Sequence, residues 1–217
     1  LNLFKLVKFA YKLSYLYYKI NTIIQNIESF YKSRNNSKKE KLIKYCKNGN
    51  LKKAKKIFNN NLNYDIDICF LTACFNNHID IAKWLLTLDK KPNIHKDNEL
   101  VFIYTCHMGN INIAKWLINI DGKINIHANN DEAFRFACWY GHLDVAKWLL
   151  TLDGKIDIHA ENDFAFRQSV CSNNLIVSEW LLKLDEKINI HAENDDVFKF
   201  AVRKGNTKVF DLLNNIC

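Results

Sequence analysis

Seven histidines and seven cysteines are the residues with the richest chemistry in this 217-residue chain, and their spacing decides what they can do. His95, His127, His159 and His191 recur every 32 residues, and Cys46, Cys74, Cys106 and Cys138 form a second column. A catalytic centre gathers unlike side chains at one point, whereas a column spreads like side chains along an axis. Packed helices lie roughly 8–10 Å apart and a zinc–nitrogen bond is about 2 Å, so no ion can be shared along a column. One local arrangement, Cys74 and His78 at helical i, i+4 spacing with Cys69 nearby, leaves a metal site open as an alternative. The cysteine column otherwise continues into Val170 and Val202, which suits a small apolar core position. The histidine column reads as a hydrogen-bonding residue of a turn, with pH sensing or ligand contact as the alternative. Gly49, Gly109, Gly141 and Gly205 share one recurring position and Gly122 and Gly154 another, which uses all six glycines and leaves none for a phosphate-cradling loop. The expectation is no catalytic residue, no metal, no cofactor and no small-molecule substrate.

The elements that carry these columns follow from other residues in the same register. Trp84, Trp116, Trp148 and Trp180 keep the 32-residue interval, as do Asp89, Asp121, Asp153 and Asp185, and Asn98, Asn130, Asn162 and Asn194. A shift of 28 places Leu42, Cys46, Gly49, Leu51 and Ala54 under Phe70, Cys74, Asn77, Ile79 and Ala82, so a fainter first unit precedes them. About six units result, near 37–64, 65–97, 98–129, 130–161, 162–193 and 194–217. In the unit from Asn130, that asparagine is expected to cap a helix through its side-chain oxygen. Phe134, Ala137 and Cys138 then share one helical face. Gly141 turns the chain, and Leu143, Ala146, Leu149 and Leu150 line a second helix. That helix is expected to end on a left-handed Gly154, as its counterpart does on Gly122, before Ile156 and Ile158 alternate along an extended finger. Ser37 and Glu40 form a capping box at the front of the array. The tryptophan column reads as packing between repeats.

The run GHLDVAKWLL from Gly141 to Leu150, with GNINIAKWLI and NHIDIAKWLL at the matching places, resembles the second helix of ankyrin repeats. The Phe-x-x-Ala-Cys before it is similar to their first helix, although Glu-Ala-Phe-Arg (132–135) and Phe-Ala-Phe-Arg (164–167) replace the family's Thr-Pro-Leu-His. With the Trp and His columns, the pattern resembles the ankyrin proteins of giant DNA viruses. The resemblance implies an all-α, ankyrin-like helical repeat solenoid over residues 36–217, with short extended fingers and an unidentified protein partner in its concave groove. It places the two residues before each inter-helix turn in that groove. Phe75, His107, Met108, Trp139, Tyr140, Arg203 and Lys204 are thus the expected partner-binding residues, with Asn76 and Cys171-Ser172 completing the series; packing against the neighbouring repeat is the competing reading.

Residues 1–35 stand outside the period and read as a basic, aromatic helical segment. At 100° per residue Lys5, Lys8, Lys12 and Lys19 fall in a stripe about 60° wide within an otherwise apolar surface. Such a helix caps the array, docks on a partner or lies on an anionic membrane. Charge is concentrated there: residues 1–60 hold 15 Lys/Arg against 2 Asp/Glu, and the remainder 16 against 21, within an overall +8. With the cluster Lys52, Lys53, Lys55 and Lys56, this makes nucleic acid or an anionic membrane the alternative partner. Seven cysteines, an odd number, suggest a reducing intracellular compartment, and the viral resemblance suggests a host-cell cytoplasm. A chain beginning at Leu1 rather than Met is expected to be a fragment or a trimmed product.

Overall fold

Apolar residues at three- and four-residue intervals, broken by a turn residue every dozen positions, produce pairs of short antiparallel helices. The computed structural model describes residues 38–59, 63–153, 155–204 and 207–214. All regular structure among them is helical. The chain divides into two compact units, one up to Asp65 and one from Ile66. In the first, α1 (Lys38–Lys47) packs on α2 (Leu51–Ile57). Leu42, Cys46 and Ala54 are its buried residues of the repeat pattern, and Asn50 caps α2 by accepting from the Lys53 amide at 3.0 Å. Residues 1–35 and the Ser37 capping box lie outside the described residues.

The second unit holds five helix pairs: α3 (Ile66–Phe75) with α4 (Ile79–Leu85), α5 (Lys96–His107) with α6 (Ile111–Ile120), and α7 (Ala128–Trp139) with α8 (Leu143–Asp153). After these come α9 (Ala160–Cys171) with α10 (Leu175–Leu184), and α11 (Ala192–Lys204) with α12 (Thr207–Asn214). First helices pack on one another in succession, α3 to α5 to α7 to α9 to α11. Their shared layer buries Phe70, Phe102 and Phe134 along with Cys74, Cys106 and Cys138. Second helices bury a narrower set, Val145, Ala146 and Leu149 in α8, while Leu143 and Leu150 are only half-buried. Trp116, Trp148 and Trp180 each lie against the first-helix Phe of the preceding repeat, at 6.3 Å from Phe70, 6.4 Å from Phe102 and 6.3 Å from Phe134. Each such ring pair contributes roughly 0.5–1.5 kcal/mol beyond its buried area. Val202 departs from its column: it is 65% exposed where Cys138 is fully buried. No first helix follows α11 among the described residues to cover it.

Inter-helix turns take the left-handed conformation that glycine allows, with φ of 70° at Gly109 and 83° at Gly141. A Cβ on Gly141 would meet the Asn174 side chain at 2.7 Å, which donates to the Trp139 carbonyl of the preceding repeat at 2.6 Å. Gly122 behaves otherwise. Its φ is not left-handed, and α6 ends instead on an extended Asp121, whose carboxylate accepts from the Lys123 amide two residues on. Gly154 lies outside the described residues.

The expected asparagine cap is also replaced. Asn98, Asn130 and Asn162 are the middle residues of left-handed triplets, 97–99, 129–131 and 161–163, with φ between 52° and 65°. Left-handed geometry costs roughly 1–2 kcal/mol for an ordinary residue and less for Asn or Asp, whose short polar side chains bond locally. Instead of capping a helix, these asparagines reach along the array: Asn98 donates to the Asn129 amide oxygen (2.6 Å), Asn130 to Glu161 (3.1 Å) and Asn162 to Glu193 (2.5 Å). Arg135 and Arg167 fold back on the triplets. Arg135 donates to the carbonyls of Asn130 and Asn129, both at 2.8 Å, and Arg167 to those of Asn162 and Glu161 at 2.7 and 3.1 Å.

Candidate partner-binding face

The residue pairs at the C-terminal ends of the first helices hold equivalent positions on helices that pack on one another in succession. Phe75 is half-buried, with its ring 6.2 Å from Tyr104. Tyr104 is 5.7 Å from His107, whose ring lies 3.9 Å from Tyr140 and 5.7 Å, edge-on, from Phe136. Trp139 continues the line, 5.1 Å from Tyr140 and 5.6 Å from Phe164, and its indole N–H donates to Ser172 Oγ at 2.9 Å. The result is an aromatic seam that runs from Phe75 to Phe164 across four repeats. Met108 and Tyr140 are its large exposed members, at 39% and 38%.

Not every expected contact residue is available on that surface. His107 is a correction: only 5% of it is exposed, since the rings of Tyr104, Phe136 and Tyr140 enclose it. Its Nδ1 is buried and unpaired. Burial, helped by the nearby His142, lowers its pKa to about 4, so it is neutral at neutral pH. Trp139 is half-buried and ties its repeat to the next as well as facing outward. Arg203 is exposed and donates weakly to the Lys199 carbonyl, at 3.4 Å. Lys204 closes α11, and its side chain lies outside the described part. Asn76 turns back to the Thr72 carbonyl at 2.8 Å, and Cys171 is half-buried with its thiol pushed up to about 12 by burial.

Chemistry of the reactive type is muted by the same packing. Burial raises the Cys74, Cys106 and Cys138 thiols far above the ordinary range, so little thiolate is present to attack or to ligate. Among the described residues no three His, Cys, Asp or Glu side chains gather into a metal-holding group. No described helix is long and apolar enough to cross a membrane.

Helix pairs joined by left-handed turns, first helices stacked in one layer and fingers between pairs together decide the architecture. Residues 70–162 match the family model for ankyrin repeats, in three copies. Residues 70–162 are thus ankyrin repeats within a helical repeat solenoid, all regular structure among the described residues being helical, and ankyrin repeats generally mediate protein–protein contact. No curated protein matches the chain. A second set of side chains in the repeats was not legible as a site in the sequence. The finger histidines were legible as a column, but their partners stand 4 and 26 residues away, at Glu99, Asp131 and Asp163 and at Asp121, Asp153 and Asp185. The pairing of those two acidic columns with one histidine column was the available signal.

Proposed function

We propose that this chain is a protein-interaction adaptor whose partner lies on the aromatic seam, at Phe75, Met108, Trp139 and Tyr140, with Arg203 and Lys204 at its far end. The observation that carries the reading is the exposure of Met108 and Tyr140 at equivalent positions of consecutive repeats, with Tyr140 packed on the rings of His107 and Trp139. Rigid aromatics backed by packed neighbours are the type enriched at binding hot spots. His107 acts from beneath, as a platform for Tyr140 (ring centroids 3.9 Å apart). The odd number of cysteines, seven, favours a reducing, intracellular site of action, and the Trp and His columns favour the giant-virus group and hence a host-cell cytoplasm.

The test is a comparison of the wild-type chain with Met108→Ala/Tyr140→Ala, both side chains being peripheral to the core. The double variant should lose at least tenfold in affinity for any partner recovered by the wild type, about 1.4 kcal/mol, with the melting temperature lowered by less than about 4 °C. Equal affinity for a partner that still requires the repeats would refute the seam as the site. A second reading is favoured by Lys52, Lys53, Lys55 and Lys56, all exposed on α2: an anionic partner, nucleic acid or membrane. It predicts binding that falls steeply between about 50 and 200 mM salt, which contact through the seam does not.

A further inference from the structure

Three histidines in the array each hold two carboxylates, one on either ring nitrogen. His95 Nδ1 meets Glu99 at 2.8 Å and its Nε2 meets Asp121 at 3.1 Å. His127 spans Asp131 at 2.6 Å and Asp153 at 2.8 Å, and His159 spans Asp163 at 2.6 Å and Asp185 at 3.3 Å. The first acid of each set closes the left-handed triplet and is nearly buried. It also accepts the amide of the next finger, Asn125 at 3.3 Å, Asp157 at 2.9 Å and Asn189 at 3.1 Å. The second acid is the residue that ends the following second helix, held by the amide of Lys123, Lys155 or Lys187. Each imidazole therefore ties one finger to the next.

A neutral imidazole carries one N–H and one lone pair, and an ionised carboxylate only accepts. It can satisfy one of its two acids, while its lone pair opposes the other. The imidazolium donates to both. The molecule holds its own reference: Asp67 occupies the position of Glu99, Asp131 and Asp163, but Asn63 stands where the histidine would be. Asp67 accepts the same finger amide, from Asn93 at 2.8 Å, and its cation is Lys96 at 3.0 Å, which keeps its charge through neutral pH. Among the described residues His191 holds one acid of the two, Asp195 at 2.6 Å; the position 32 residues after Asp185 is Cys217 in the sequence and not an aspartate.

We propose that His95, His127 and His159 form a ladder of proton-operated clasps between consecutive fingers, closed as imidazolium and loosened when neutral. The proposal is independent of where a partner binds. The charges around each ring are the two acids named, the lysines 123, 155 and 187 beside the distal aspartates, and Arg135 and Arg167 beside Asp131 and Asp163. Attraction to the acids outweighs the rest. The hydrogen bond to Glu99 is the largest influence raising His95, that to Asp153 raises His127 and that to Asp163 raises His159, each above its ordinary value. A raised base stabilises fully below its unfolded pKa, about 6.5, and that stability is lost as pH rises through the folded value. The distal aspartates are held below their ordinary range, Asp121 and Asp153 chiefly by the histidine and Asp185 chiefly by the Lys187 amide, so their contribution is lost only in stronger acid. The clasps are closed from about pH 4 through 6.5 and open as pH rises through the raised histidine values above it.

The test uses the whole chain. Ring-proton NMR from pH 5 to 9 should give midpoints above 6.5 for His95, His127 and His159, and the melting temperature at fixed ionic strength should fall between pH 6 and 9. In His95→Gln/His127→Gln/His159→Gln that alkaline fall should disappear. Should the triple variant fold poorly, Asp153→Asn alone should lower the His127 midpoint and leave those of His95 and His159 in place. Midpoints at or below 6.5 for all three, an alkaline fall that persists in the triple variant, or an unmoved His127 in Asp153→Asn would overturn the proposal.

Discussion

Lowering the pH from 6.5 to 4 should weaken the array through one residue, His107. Its ring is enclosed by Tyr104, Phe136 and Tyr140, its Nδ1 has no partner, and burial holds its pKa at about 4. In the unfolded chain it titrates near 6.5. The folded state therefore binds fewer protons through this window, and stability falls as the unfolded state takes up the proton. A difference of about 2.5 units at 1.36 kcal/mol each gives about 3 kcal/mol. For a domain of this length that is a loss of roughly 6–12 °C in melting temperature. His107→Phe keeps a ring in the seam and removes both the titration and the unpaired nitrogen. Circular-dichroism melts at pH 6.5 and 4.2 should show the acid loss in the wild type and most of it gone in His107→Phe. At pH 7 the variant should be as stable as the wild type or more so, since a buried unpaired polar atom costs about 1–3 kcal/mol. An identical acid loss in both proteins, or a His107 ring that titrates near 6.5, would refute the enclosure argument.

Two further substitutions probe the packing. Trp139→Ala, which removes the ring against Phe164 and the bond to Ser172, should cost about 2 kcal/mol in urea unfolding, whereas Tyr140→Ala should cost less than about 1 kcal/mol; equal costs would mean that Trp139 does not bridge the repeats. Arg167, about 1% exposed, should not be replaceable by Lys, because Nε and a terminal nitrogen donate to two different carbonyls. Arg167→Lys and Arg167→Met should each lose about 2–3 kcal/mol, and a Lys variant as stable as the wild type would show that the left-handed triplet needs no such support.

How far the sequence carried depended on what a period can encode. Four columns in register specify helix pairs and their order, since only a stacked repeat asks for the same side chain every 32 residues. A period does not specify backbone sign. Asn130 was legible as a special position, yet asparagine suits both a helix cap and a left-handed residue, and the two readings diverge only when the neighbours at 129 and 131 are seen to share its φ. Variation misled at His107 for a different reason. The pairs before the turn differ from repeat to repeat, which suggested freedom from packing. In the structure they pack on one another across repeats, so His107 is fitted to Tyr140 rather than to a common neighbour. Such pairwise fits leave no column.

The two kinds of histidine give the array opposite responses to protons, and the windows do not overlap. His107 is enclosed by rings and held neutral, so it withdraws stability as pH falls from 6.5 toward 4. The clasp histidines sit between acids, contribute a constant amount over that same interval, and withdraw it only as pH rises past 6.5. Stability should therefore peak near pH 6.5, with the acid limb belonging to the layer of first helices and the alkaline limb to the fingers. The limbs should also differ in extent. His107 is one site whose protonation disrupts a buried seam, while the clasps are three sites in series, each loosening one junction between fingers in a fold stabilised by nearest neighbours. Alkaline titration should free the fingers before the helices separate, whereas acid titration should act on the helix layer itself.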